Sequence, residues 1–126
     1  SLASGTSIKV FFSANLIPVN RGILSNIYLN VDANKQNEIY DCLKNTFVNE
    51  NFISLLPLNE VPSTREVVGS NRVSIGVKRG YRDDILCIVS VIDNLLKGAA
   101  GQAMQNFNLM NDFNETTALT TNANIL

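Results

Sequence analysis

Apolar and polar positions divide the chain into short alternating runs and two stretches of helical period. Residues 7–13, SIKVFFS, place Ile8, Val10 and Phe12 on one side and Lys9 and Phe11 on the other, which predicts a strand. Pro18 and Gly22 interrupt the chain before residues 23–31, ILSNIYLNV, predict a second strand. There Ile23, Ser25, Ile27, Leu29 and Val31 make an apolar face for a core, while Leu24, Asn26, Tyr28 and Asn30 make a mixed face for an interface or water. Asp32 reads as the N-cap of a helix over residues 33–48, with Ile39, Cys42, Leu43 and Phe47 at inward spacing. Residues 52–56 predict a short strand, and residues 57–70 a long connection whose PSTRE run is an exposed loop or a short helical turn. Residues 71–78 alternate Val73, Ile75 and Val77 against Arg72, Ser74, Gly76 and Lys78, a half-buried strand. Beyond a turn at Gly80, residues 85–92 are apolar on both faces and predict the central strand, in a hairpin with 71–78. A last helix carries Ala100, Ala103, Met104 and Phe107 as its inward stripe, and residues 111–126 read as an extended tail.

The order β-β-α-β-β-β-α joins several strands without helices between them. It predicts an α+β fold, a mixed and mostly antiparallel sheet covered by helices on one face. The 126 residues are one domain's worth of chain, and 45% hydrophobic against 17% charged residues is the composition of a folding sequence. Ten basic against eleven acidic residues argue against bulk electrostatic binding to nucleic acid or a membrane. No apolar run approaches the ~20 residues of a membrane helix. The start, SLASGTSIKV, lacks the pattern of a signal peptide, and residues 1–6 read as a frayed or linking end. Cys42 and Cys87 read as buried thiols in a reducing, cytoplasmic setting. The chain has no histidine, which excludes a Ser–His–Asp triad, a Cys–His pair or an imidazole zinc site within it, and no metal site is expected. No GxGxxG follows a strand, and there is no P-loop.

The candidate working surface is DNLLKGAAGQAMQNFNLM, residues 93–110, where the expected central strand ends in a polar turn and a helix start crowded with small residues. Free N–H groups at a helix start attract an anion, and small residues let a ligand approach closely. Asn94 is either a ligand contact or the helix N-cap. Lys97 with Gly98 either meets a phosphate or lies at an exposed, closely packed helix start. Arg21 either forks onto a phosphate or carboxylate, or fixes the Pro18–Gly22 bend through an ion pair. Ser70 and Asn71 either reach the substrate side or a subunit interface, or supply turn chemistry before a strand.

Four ordered stretches resemble one family. DNLLKGAAGQA is similar to the DNLxKGAAxxA signature of the semialdehyde dehydrogenase superfamily. LIPVNRGIL is similar to LVPMNRGIL, PSTREVVGSN to PSTxxVxGSN, and NFNLM with ETT to an QNMNLMxGxxETTGL ending, all of its N-acetyl-gamma-glutamyl-phosphate reductase branch. The resemblance implies a C-terminal dimerisation and substrate-side domain of the glyceraldehyde-phosphate-dehydrogenase-like type. The nucleophilic cysteine, the histidine base and a Rossmann domain for NADP would lie outside these residues, so that the chain alone is inactive. The implied reaction, in arginine biosynthesis, begins with thiolate attack on an acyl phosphate and ends with hydride reduction to a semialdehyde. It also implies Asn94, Lys97 and Gly98 as coenzyme contacts, Arg21, Ser70 and Asn71 on the substrate side or interface, and a homodimer or tetramer. The aminoadipyl-phosphate relative of lysine biosynthesis and a non-catalytic dimerisation module are the alternatives.

Overall fold

The computed structural model describes residues 5–122. Strand β1 (Ile23–Asn30) is followed by a 3-10 turn (Ala33–Lys35) and helix α1 (Gln36–Phe47). Then come β2 (Ile53–Leu55), a second 3-10 turn (Thr64–Glu66), β3 (Val73–Arg79) and β4 (Ile85–Ile92). A π-helical turn (Leu96–Ala100) leads directly into helix α2 (Gly101–Met110). The four strands form one sheet in the order β1-β4-β3-β2. β4 pairs antiparallel with both β1 and β3, while β2 pairs parallel with β3, so the fold is α+β with a mixed, mostly antiparallel sheet.

The core follows from this order. β4 is flanked on both sides, and Leu86, Val89 and Val91 are buried along it. Val77 and Ile75 of β3, with Phe52 and Val67 from the flanking connections, complete the apolar interior. β3 is buried on both faces from Ser74 to Val77, not the half-buried strand that its alternation predicts. The 57–62 connection lies over Gly76 and replaces water there; Leu56 N–H donates to Ile75 O and Asn59 N–H to Val77 O, both at 2.8 Å. α1 turns Gln36 inward, whose Nε2 donates to Asp83 O at 2.9 Å, while the Tyr40 hydroxyl donates to Leu56 O at 3.1 Å. Asp32 precedes the first 3-10 turn without a side-chain cap.

Several expectations need correction. Residues 7–13 form no strand and are exposed, because no neighbouring backbone pairs with them among the described residues. β1 is an edge strand with Ile23, Leu24, Ile27 and Tyr28 all exposed, so neither of its faces rests on the core. Cys42 is exposed and Cys87 half-buried, because α1 presents Gln36, Ile39, Tyr40, Leu43 and Phe47 inward instead.

The largest correction concerns α2. Its expected inward stripe faces outward: Ala100 and Ala103 are exposed, Met104 is 41% and Phe107 52% accessible. Gly101, Gln105 and Asn108 are buried in its place. The reason is that the tail folds back rather than extending. Asn108 Nδ2 donates to Glu115 O at 3.1 Å and Thr117 O at 2.9 Å, and Asn71 N–H donates to Thr120 O at 2.8 Å. A buried amide that finds such partners costs little to desolvate. α2 ends where Asp112 takes the left-handed conformation, φ 57°, and Phe113 N–H returns to Asn108 O at 2.9 Å. Residues 1–4 of the expected linking end, and residues 123–126 of the tail, lie outside the described residues.

Candidate functional site

Asp93 ends β4 and organises the turn. Its carboxylate has no exposed surface and accepts four hydrogen bonds. Oδ1 takes the N–H groups of Leu95 (2.8 Å) and Leu96 (3.1 Å), and Oδ2 takes Gly69 N–H (2.7 Å) and Arg21 Nη2 (2.9 Å). The anion expected at the helix start is thus the chain's own carboxylate. Burial pushes the Asp93 pKa up, but the three backbone donors and the Arg21 guanidinium outweigh it, and the net shift is downward. Asp93, not Asn94, fills the capping role. Its signal is an Asp three positions before the helical turn, whose carboxylate meets the N–H groups two and three residues on, as a capping side chain does.

Asn94 is half-buried at the rim beside it. Its Oδ1 accepts Gly22 N–H at 2.7 Å and ties the Pro18–Gly22 bend to the end of β4. With the oxygen committed, Nδ2 is the side chain's remaining polar group, a pair of donors. Gly22 adopts φ +112°, and a Cβ there would lie 3.0 Å from Thr64 Cβ, so both conformation and space favour glycine. Arg21 completes the same bend through its ion pair with Asp93, and its Nε is buried without a partner.

Lys97 points inward. Its Nζ donates to Gln105 Oε1 at 2.6 Å and stands 5.4 Å from the Phe52 ring centroid. Gln105 Oε1 also accepts Asn71 Nδ2 at 3.0 Å, and Gln105 Nε2 donates to Glu115 Oε1 at 2.6 Å. Asn51 Nδ2 donates to Glu115 Oε2 at 2.8 Å. Burial lowers the Lys97 pKa, partly opposed by the charges of Glu115 and Glu50. Gly98 is exposed, and its N–H closes onto Asp93 O at 2.9 Å. Ser70 and Asn71 are both buried: Ser70 Oγ donates to Val67 O at 2.8 Å, and Asn71 holds α2. Their placement is that of turn and packing chemistry. Asn94, Gly98 and Arg21 therefore share a rim, while Lys97 and Asn71 meet beneath it at Gln105.

Glu115 and Gln105 were not legible as partners, because their sequence neighbours carry no sign of the fold-back. Glu115→Ala removes the acceptor of a buried Gln105 amide and of Asn51. It is expected to cost about 1–3 kcal/mol, read as a lower denaturant midpoint with an unchanged slope.

No group of three or more His, Cys, Asp or Glu side chains suited to a metal occurs among the described residues. None of the described helices is long and apolar enough to cross a membrane.

The fold and much of the sequence are shared with known proteins. The family described as semialdehyde dehydrogenase, dimerisation domain, matches residues 1–94, and the chain belongs to that family. The N-acetyl-gamma-glutamyl-phosphate reductase of Magnetococcus marinus is 46% identical over 120 residues, 94% of this chain and 34% of the relative. That of Bacillus subtilis is 44% identical over 112 residues, 88% of this chain and 32% of the relative. The chain thus spans about a third of the length of these curated relatives. Aspartate semialdehyde dehydrogenase II of Vibrio cholerae has the same fold, with a TM-score of 0.56 at 22% identity over 76% of this chain and 29% of that one.

Proposed function

We propose that these residues work as the C-terminal domain of an NADP-dependent N-acetyl-gamma-glutamyl-phosphate reductase. Identity of 46% to a reductase of that name supports the reading, and the Asp93–Asn94 turn carries its chemistry. NADPH, when bound, supplies the hydride. Asn94 fits the coenzyme's carboxamide: its oxygen is held by Gly22 N–H, so its amide donors are presented at the rim rather than left to rotate. Gly98, exposed one turn on, leaves the approach free of a side chain. Lys97 serves this rim from below, since its Nζ would have to leave Gln105 to reach a phosphate. The histidine base belongs to residues other than these, since the chain contains no histidine, and the nucleophilic thiolate is assigned there too, because Cys42 lies on α1 and Cys87 in the middle of β4 rather than at the Asp93–Asn94 turn.

The outward faces fit the same reading. The exposed β1 edge and the apolar residues of 8–19 are the surface for a second copy, giving a homodimer or tetramer. The outward face of α2, with Met104 and Phe107, starts behind the Asn94 rim and is the surface for the coenzyme-binding part.

The test joins this chain to the coenzyme-binding portion of the Magnetococcus marinus reductase. The joined enzyme is expected to oxidise N-acetylglutamate semialdehyde in a reaction requiring NADP and phosphate, and the 126 residues alone to be inactive. Asn94→Ala should raise KM for NADP by about tenfold, the worth of one well-placed hydrogen bond. Activity in the isolated chain, or an unchanged KM, contradicts the assignment.

A further inference from the structure

Beside the Asn94 rim, on the far side of Arg21, lies an open groove of about 520 Å³. That volume is within the usual range for small-molecule sites. The Pro18–Arg21 bend forms one wall, and Thr64, Arg65 and Val68 form the other. Two arginines line it and no acidic residue does. Asp93 engages Arg21 from behind, through Nη2, and a third of the Arg21 side chain remains exposed. The neighbouring acid, Glu66, is committed elsewhere: its Oε1 accepts Ser63 N–H at 3.0 Å. Arg65 is exposed and its guanidinium has no hydrogen-bond or ion-pair partner among the described residues; the Thr64 hydroxyl and the Asn20 amide are likewise without one.

The walls are built in advance. One is tied to β4 by the Gly22–Asn94 and Arg21–Asp93 bonds. The other is a 3-10 turn closed by a full capping box between Ser63 and Glu66. A cleft with two arginines, uncharged hydrogen-bonding groups and an apolar lining from Pro18, Val19 and Val68 suits the following ligand chemistry. It is a carboxylate next to an amide, on a short aliphatic carbon chain.

We propose that this groove receives the carboxylate and acylamino end of an N-acylated amino acid, with Arg65 as its anchor and Arg21 as its fixed second cation. This deepens the proposed function and rests on it: the groove would hold the non-reacting end of the substrate while the reacting end reaches the Asn94 rim. Arg65 therefore sets specificity at a distance from the chemistry.

The test uses the full chain, labelled with ¹⁵N and titrated with N-acetyl-L-glutamate, N-acetyl-L-glutamine, the α-methyl ester of N-acetyl-L-glutamate and inorganic phosphate. Amide shifts at Asn20, Arg21, Thr64 and Arg65 are expected with the first two, which keep the α-carboxylate, and not with the ester. Arg65→Ala should weaken binding about tenfold, the loss of one charge-assisted hydrogen bond, and Arg65→Lys by less. Because Arg65 is exposed, the variant should keep the parent's melting temperature. Phosphate binding at these residues as tightly as N-acetyl-L-glutamate, shifts confined to other residues, or unchanged affinity in Arg65→Ala overturns the proposal. In the joined enzyme, Arg65→Ala should raise KM for the semialdehyde with little change in kcat. An active enzyme whose KM ignores Arg65 defeats the groove alone, whereas an inactive parent enzyme defeats the proposed function while the titration still judges the groove.

Discussion

Asp93→Asn is expected to lower the thermal midpoint by roughly 10 °C or more, from a loss of about 3–5 kcal/mol. The substitution keeps the shape and removes the charge. Asp93 is fully buried, and all four of its hydrogen bonds come from donors. An asparagine can accept through its oxygen, but its NH₂ must then face a donor, either the N–H pair of Leu95 and Leu96 or Gly69 and Arg21. Arg21 would be left beside a neutral amide with its Nε already lacking a partner. The pH dependence carries the sign. The folded pKa of Asp93 is lowered, so its stabilisation is complete above the ordinary carboxylate pKa of about 3.9 and is lost as pH falls through the lower folded value. Melting curves from pH 7 down to pH 2 should therefore converge for parent and variant at the acid end. A constant gap across that range would mean that packing, not the carboxylate charge, holds the turn. Because Asn94 is the next residue, the variant should also lose coenzyme affinity in the joined enzyme.

Local pattern located what local pattern controls. Residues 85–92, apolar on both faces, occupy the centre of the sheet, and their hairpin with β3 forms around Gly80. The short strand near Phe52 and the helical turn in PSTRE also form where period and capping residues place them. What failed depended on residues far along the chain. Gln105 and Asn108 are inside because Asn71, Glu115 and Thr117 supply their partners, and Gln105 meets Asn71 across 34 positions. No window of helical length contains that information, so the apolar stripe was the natural choice and the wrong one. Residues 7–13 likewise pair with no strand among the described residues, whatever their alternation. Around the turn, the ion pair of Arg21 at the Pro18–Gly22 bend and the place of Asn94 in the turn after the central strand were legible from their surroundings in sequence. The dependence of both on Asp93 was not, since it requires the 21–22 bend, the 69 turn and the end of β4 to meet.

Gly76→Ala is expected to cost about 3 kcal/mol or more, through crowding that neither wall can relieve. A Cβ at this position would press on the Glu60 carbonyl oxygen, with Pro62 Cδ at 2.8 Å and Val61 Cα at 3.0 Å. Two of these three atoms are backbone, and a rotamer change moves neither. Retreat of the 57–62 connection would break the bonds of Asn59 N–H to Val77 O and of Leu56 N–H to Ile75 O, both 2.8 Å. Retreat of β3 would break its ladder with β4, in which Gly76 stands opposite Val89. Urea titration should therefore show a lower midpoint. A loss below about 1 kcal/mol, the size of an ordinary surface substitution or small repacking, would show that the connection yields. Pro62 also links this glycine to function. The residue after it, Ser63, caps the turn that carries Thr64 and Arg65, so a displaced Pro62 shifts one wall of the groove relative to Arg21. At a urea concentration where the variant is still folded, its affinity for N-acetyl-L-glutamate should fall although no groove residue has changed. Native affinity in a destabilised Gly76→Ala would mean that the Thr64–Arg65 turn is held by its own capping box rather than by the connection beneath it.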